Sequence, residues 1–92
     1  MKKIVIFGSG CHAKVVFSEI IKLKKYKILG FVDNLSKKGK QVINYNNKNY
    51  YNLGKIIDLK KKKNLYGIIG VGSNILRKKI FFEIDSVLKN FK

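Results

Sequence analysis

Apolar positions along the chain recur in two rhythms that alternate from the start. Lys3–Phe7 is a short run rich in β-branched residues and closed by Gly8, which predicts a strand buried on both faces. From His12 to Lys24 the period changes. Ala13, Val16, Phe17, Ile20 and Leu23 recur at steps of three and four, the spacing of one apolar helix face. Lys22, Lys24 and Lys25 fall near its C-terminus, where positive charge suits the helix dipole. Ile28–Val32 is a second apolar run, closed by Asp33-Asn34. Strand, helix and strand in this order form a βαβ unit, whose crossover is almost always right-handed with parallel strands.

The pattern weakens and then returns. Lys37–Lys40, with Gly39, reads as a turn, and Val42–Tyr45 as a short edge strand. The Asn- and Tyr-rich stretch Asn44–Asn52 reads as a loop by composition. Asn52 is placed to cap a helix from about Leu53 to Lys62, with Leu53, Ile56 and Ile57 inward and the run Lys60–Lys63 at its C-terminal end. Tyr66–Val71 is a third buried strand. A last helix follows, capped by Ser73 or Asn74, with Leu76, Ile80, Ile84 and Val87 as its core face and Phe81 and Leu88 alongside. The alternation specifies an α/β fold: a Rossmann-like three-layer domain over residues 1–92, with a mostly parallel sheet and helices on both faces. The sequence stops at Lys92, where a further strand is expected, so the chain reads as a fragment truncated after the last helix.

Composition narrows the function. The longest apolar runs fall well short of the roughly 18–20 residues that cross a bilayer, and Ile4–Phe7 is too short for a signal peptide's apolar core of roughly 7–15 residues. A cytoplasmic location is expected. One cysteine and one histidine cannot build a four-ligand metal site, and Cys11 and His12 are adjacent, so they form no spaced nucleophile–base pair. The formal net charge of +16 suggests nucleic acid or an anionic membrane as partner. Lysine supplies nearly all of it, however, and Arg77 is the single arginine; arginine is the residue that forks phosphates and reads guanine edges. The charge therefore reads as solvated surface, with neither nucleic acid nor membrane as partner.

The chemistry sits in the first turn. Gly8-Ser9-Gly10-Cys11-His12-Ala13 matches G-x-G-x-x-G/A between a strand and a helix. Gly8 permits the tight turn, Gly10 lets a ligand approach the backbone, and Ala13 lets the helix pack closely on the sheet. The helix N-terminus offers free N–H groups to a phosphate, with Lys14 nearby. Asp33, about 20 residues on, is either an acceptor for ribose hydroxyls or a turn-forming residue with Asn34. Gly70-Val71-Gly72-Ser73-Asn74 repeats the strand–loop–helix pattern and is expected to face the same crevice. Arg77, on the next turn, is within reach of an anion or faces solvent. His12 is either a donor to phosphate or sugar or a residue packed over the loop, and Cys11 reads as a small buried hydrophobe. By physics alone, the glycine turn and Asp33 fit an NAD(P)- or flavin-binding fragment of an oxidoreductase equally well. A non-catalytic binding module or a gene fragment is a further alternative.

The string Ile4-Val5-Ile6-Phe7-Gly8-Ser9-Gly10-Cys11-His12-Ala13-Lys14-Val15-Val16 resembles the opening of bacterial sugar O-acyltransferases of the PglD/NeuD group. That group comprises sialic-acid O-acetyltransferases and UDP-amino-sugar N-acetyltransferases. The resemblance continues through Gly30-Phe31-Val32-Asp33-Asn34, Lys38-Gly39-Lys40, Gly67–Asn74 and Arg77-Lys78-Lys79-Ile80. Two positions depart from it: Cys11 stands where a second glycine is usual, and Asn46–Tyr51 replaces a Pro-Val-Leu-Gly-like stretch. The resemblance implies an N-terminal domain that binds a UDP-sugar or related sugar nucleotide through Gly8–Lys14, Asp33, Asn34, Gly72, Ser73, Asn74 and Arg77, with no catalytic residue of its own. It also implies that acetyl-CoA, the catalytic histidine and a homotrimer belong to a left-handed β-helix of hexapeptide repeats, and residues 1–92 contain no such repeats.

Overall fold

The computed structural model describes residues 1–60 and 64–87. Its elements are β1 (Lys2–Phe7), α1 (Cys11–Leu23), β2 (Tyr26–Val32), β3 (Gln41–Tyr45), β4 (Lys48–Tyr51), a 3₁₀ turn (Ile56–Leu59), β5 (Leu65–Ile69) and α2 (Asn74–Val87). β1 lies at the centre of a three-stranded sheet in the order β2-β1-β5, with both pairings parallel. β3 and β4 form a separate antiparallel hairpin.

Alternation along β1 divides the core. Ile4 and Ile6 face α1 and pack with Ala13, Phe17, Ile20, Ile28 and Phe31. Val5 and Phe7 face the other way, with Val32, Ile56, Leu59 and Leu65, and Ile80 and Ile84 of α2 cover them. The sheet is thus buried on both faces, as the continuous apolar run in β1 requires. Strict alternation in β2 would put Ile28 and Phe31 on opposite faces. A register shift, from Ile4 paired with Ile28 to Val5 paired with Gly30, brings both onto the α1 face. The extra residue falls at Gly30, where a Cβ would lie 2.7 Å from the Tyr51 carbonyl and 2.9 Å from Leu53 Cγ.

The stretch expected as a loop, Asn44–Asn52, is the hairpin. Asn46 and Asn47 both have positive φ (50° and 62°) and join Tyr45 to Lys48 in a two-residue turn, a conformation that asparagine tolerates. The hairpin also supplies core. Tyr50 is buried, and its ring stands edge-on to Phe17 at 4.8 Å, while Phe17 stacks on Phe31 at 5.9 Å. Such ring pairs contribute about 0.5–1.5 kcal/mol each beyond burial. β3 therefore pairs with β4 rather than lying at the edge of the main sheet.

The helix expected over 53–62 is replaced by the single 3₁₀ turn. Gly54 takes φ 133°, and Asp58 reaches back to accept the Lys55 N–H at 2.8 Å, which closes the turn where a helix would have continued. Asn52 caps nothing; it is buried and employed elsewhere. Lys61–Lys63, Leu88 and the side chain of Val87 lie outside the described residues. Three other positions differ from the apolar-face reading: Leu23, Leu76 and Phe81 are exposed. The third strand ends at Ile69, so Val71 belongs to the loop after it.

Candidate functional site

Parallel strands deliver their C-terminal ends to one edge. β2 lies on one side of β1 and β5 on the other, so the chain direction reverses there, and open α/β sheets bind ligands in the crevice at such a point. A crevice of about 550 Å³ opens at that place, within the usual range for small-molecule sites. Gly8, Ser9 and Gly10 after β1 and Cys11 and His12 at the start of α1 form one wall. Asp33, Asn34 and Leu35 after β2 form the second, and Gly70, Val71 and Gly72 after β5 form the third.

The first turn is shaped by contact as well as conformation. Gly8 has φ 109°, and a Cβ on it would lie 2.8 Å from Val71 Cγ2 and 2.9 Å from the Gly70 carbonyl. The turns after β1 and β5 therefore touch at Gly8, and neither has room for a side chain there. Gly10 has nothing within 4 Å of a Cβ position and faces open space. It occupies the N-cap of α1, so no side chain caps that helix. The first N–H groups of α1 thus remain without a side-chain acceptor at the crevice wall, where a helix N-terminus favours anions. Ala13 is fully buried; a Cβ on Gly70 would come within 2.9 Å of its Cα, so the two small residues set how closely α1 approaches β5.

The second wall is a hydrogen-bonded clasp. Ser9 Oγ donates to Asp33 Oδ2 at 2.5 Å, tying the turn after β1 to the end of β2. Asp33 Oδ1 accepts the Leu35 N–H at 2.9 Å, an Asx turn. Both carboxylate oxygens are engaged, and each retains a lone pair. Asn52 supports this from beneath. Its Oδ1 accepts the N–H groups of Asp33 (3.1 Å) and Gly54 (3.2 Å), and its Nδ2 donates to the carbonyls of Asp33, Ser36 and Lys37 at 3.3, 2.9 and 3.2 Å. Asn34 spans outward: its Oδ1 accepts the Ile56 N–H at 2.9 Å, and its Nδ2 donates to both oxygens of Glu83 on α2 at 2.9 and 3.0 Å.

Of the residues singled out from the sequence, Gly8, Ser9, Gly10, Cys11, His12, Asp33, Asn34 and Gly72 line this crevice together. Cys11 is exposed at the wall, not buried as expected, because the first helical turn projects past the sheet edge. Ala13 packs below the crevice, and Lys14 is exposed on the next turn. Ser73, Asn74 and Arg77 stand outside it. Ser73 is the cap at the start of α2, with the Leu76 N–H directed at its Oγ at 3.4 Å. Arg77 folds back so that Nη1 donates to the Val71 carbonyl at 3.2 Å. Sequence reasoning misses the α2 wall, Leu76, Lys79, Ile80 and Glu83. The three- and four-residue spacing of these positions is visible in the sequence, but by itself it signals only core.

Fold and crevice together define a Rossmann-type α/β domain with a ligand crevice at its switch point. The chain belongs to the PglD N-terminal domain family, which matches it over residues 3–84. Among solved structures it is similar to the acetyltransferase domain of PglB from Neisseria gonorrhoeae FA1090, with 22% identity and a TM-score of 0.69. That likeness takes in 96% of this chain and 41% of the Neisseria chain, so the present chain spans well under half the length of that relative. No curated protein matches the chain. Among the described residues no helix is long and apolar enough to cross a membrane.

Proposed function

We propose that this chain is the sugar-nucleotide-binding domain of a bacterial sugar acetyltransferase and performs no acetyl transfer itself. The observation that carries the reading is the uncapped N-terminus of α1 at the switch-point crevice, with the unobstructed Gly10 beside it. In this reading the diphosphate lies over Gly8–Ala13, where backbone N–H groups and the helix dipole meet it, with His12 and Lys14 nearby. Asp33 accepts ribose hydroxyls through the lone pairs that Ser9 and Leu35 leave free, while the clasp holds its carboxylate in place. Asn34 acts through its bridge to Glu83, fixing the width of the crevice. Gly72 keeps the third wall low, and Ser73, Asn74 and Arg77 shape the loop from behind.

Family membership favours a sugar nucleotide over a nicotinamide or flavin ligand. The acetyltransferase role is carried over from the Neisseria acetyltransferase domain that this chain resembles, and acetyl-CoA is assigned to polypeptide outside residues 1–92. Within this chain His12 is not paired with an orienting acid, the arrangement that general-base chemistry uses.

Calorimetric titration of the parent chain and Gly10→Val with UDP-N-acetylglucosamine and with NAD tests the reading. Gly10 has φ −88° and ψ −161°, which valine adopts without strain, so the variant folds. Binding of the UDP-sugar to the parent and its loss in Gly10→Val are expected. Equal binding to both, or tighter binding of NAD, refutes the placement or the ligand class.

A further inference from the structure

The two edges of the main sheet are finished differently. The β2 edge is guarded: Lys27 sits within the strand, the register shifts at Gly30, and the chain returns alongside, with the Leu53 N–H donating to the Phe31 carbonyl at 2.7 Å and Asn52 bridging to Phe31. The β5 edge has none of these devices. Leu65-Tyr66-Gly67-Ile68-Ile69 contains no charge, no proline and no bulge, and among the described residues no strand pairs with it on the side away from β1. Native proteins rarely leave an apolar edge strand in that state, because its free N–H and C=O groups template another strand.

The side chains at this edge add to the pattern. Ile68 points to the same face as Ile6, yet α1 does not reach far enough to cover it, and it stays 39% exposed. α2, which packs on the opposite face of β5, leaves Ile75, Phe81 and Phe82 in solvent at 72%, 59% and 66%. A helix with apolar residues on its outward side as well as its core side is built to be covered.

We propose that the β5 edge is a docking surface for an extended polypeptide segment that adds to the sheet as a further strand, and that this segment is apolar at its centre and acidic at its ends. Strand addition supplies affinity through main-chain hydrogen bonds and leaves specificity to the flanking side chains. Here those flanks are basic. In the sequence, Lys60–Lys63 precede β5 and Arg77-Lys78-Lys79 follow its loop. Across the whole chain 21 basic residues face five acids. Four of the acids already have partners: Asp33 with Ser9, Asp58 with the Lys55 N–H, Glu83 with Asn34, and Glu19 with Lys22. A second copy of this chain would bring its own excess of positive charge to the contact, whereas an acidic segment gains from the same field.

The probe is a nine-residue peptide with an Ile-Thr-Val-Thr-Ile centre and two glutamates at each end; its counterpart carries lysines at the ends. Amide hydrogen exchange of the full 92-residue chain is followed with each. The glutamate peptide is expected to slow exchange in Tyr66–Ile69 and the lysine peptide is not. The effect should fade at about 1 M salt, where the Debye length is about 3 Å. Ile68→Asp should weaken the glutamate peptide at least about tenfold, while Val15→Asp, which places the same charge on the exposed side of α1, should leave it unchanged. No slowing at β5, equal slowing by both peptides, or slowing that appears with protein concentration alone, which would make a second copy the occupant, overturns the proposal.

Discussion

Asn52 offers the sharpest test of how this structure is held. It is 1% exposed, and its amide makes five hydrogen bonds that join the end of β2, the loop after it and the approach to the 3₁₀ turn. Two of its partners keep other bonds: the Asp33 N–H also donates to the Gly54 carbonyl at 3.0 Å, and the Lys37 carbonyl also accepts the Lys40 N–H at 3.1 Å. Asn52→Ala therefore strands chiefly the Gly54 N–H and the Asp33 and Ser36 carbonyls. Each buried group left unsatisfied costs about 1–3 kcal/mol, and partial access to water at the loop places the sum near about 3 kcal/mol. For a domain of this size that corresponds to a fall in Tm of roughly 12–24 °C, at about 4–8 °C per kcal/mol. Asn52→Asp separates hydrogen bonding from packing. The shape is kept, but the donor to three carbonyls is replaced by a carboxylate oxygen facing them, so it should be at least as damaging as alanine. Thermal and urea unfolding followed by circular dichroism measure both. A Tm within about 4 °C of the parent for Asn52→Ala, or a mild Asn52→Asp, refutes the reasoning.

Gly8→Ala should destabilise by about 2 kcal/mol or more in urea unfolding, because alanine at φ 109° is strained and its Cβ meets Val71 and the Gly70 carbonyl; an unchanged midpoint contradicts this. Asp33→Ala should weaken sugar-nucleotide binding by roughly tenfold or more in calorimetry, since a hydrogen bond to a charged group contributes about 1.5–3 kcal/mol. Unchanged affinity in the folded protein would make Asp33 purely a clasp for Ser9 and Leu35. Glu83→Ala should lower stability by less than about 1 kcal/mol, as its bridge to Asn34 is exposed; a loss several times larger would show that the bridge holds α2 in place. The purified chain should release no coenzyme A from acetyl-CoA with a UDP-amino sugar, and turnover above the uncatalysed rate in a thiol assay would overturn that expectation.

The parts of this fold that are legible in the sequence are those dictated by local rules. The apolar run Ile4–Phe7 announces burial on both faces, and the glycines at 8 and 10 announce a turn that a side chain would block. Both come from contacts within a few residues or from one repeating period. The hairpin stays hidden because Asn46-Asn47 has the composition of a loop, although asparagine also adopts the positive φ that a two-residue turn needs. Asn52 looks like a helix start because asparagine caps helices; nothing local says that it will instead be buried under Asp33. The bulge at Gly30 depends on the approach of Tyr51 and Leu53, about twenty residues away in sequence. The α2 wall escapes for a related reason. Leu76 and Ile80 have the spacing of a core stripe, and only the position of α2 beside the β2 loop turns part of that stripe toward a crevice.

Whether the uncapped start of α1 and the glycine loop after β5 receive a sugar nucleotide is tested most directly by an amide chemical-shift titration of the chain with UDP-N-acetylglucosamine. Saturable shifts are predicted, largest at Gly10, Cys11 and His12, with further shifts at Gly70–Gly72 and Asp33 and little change in the β3–β4 hairpin. Shifts centred away from Gly8–Ala13, or a chain that ignores the UDP-sugar yet responds to NAD at the same turn, would contradict the assignment.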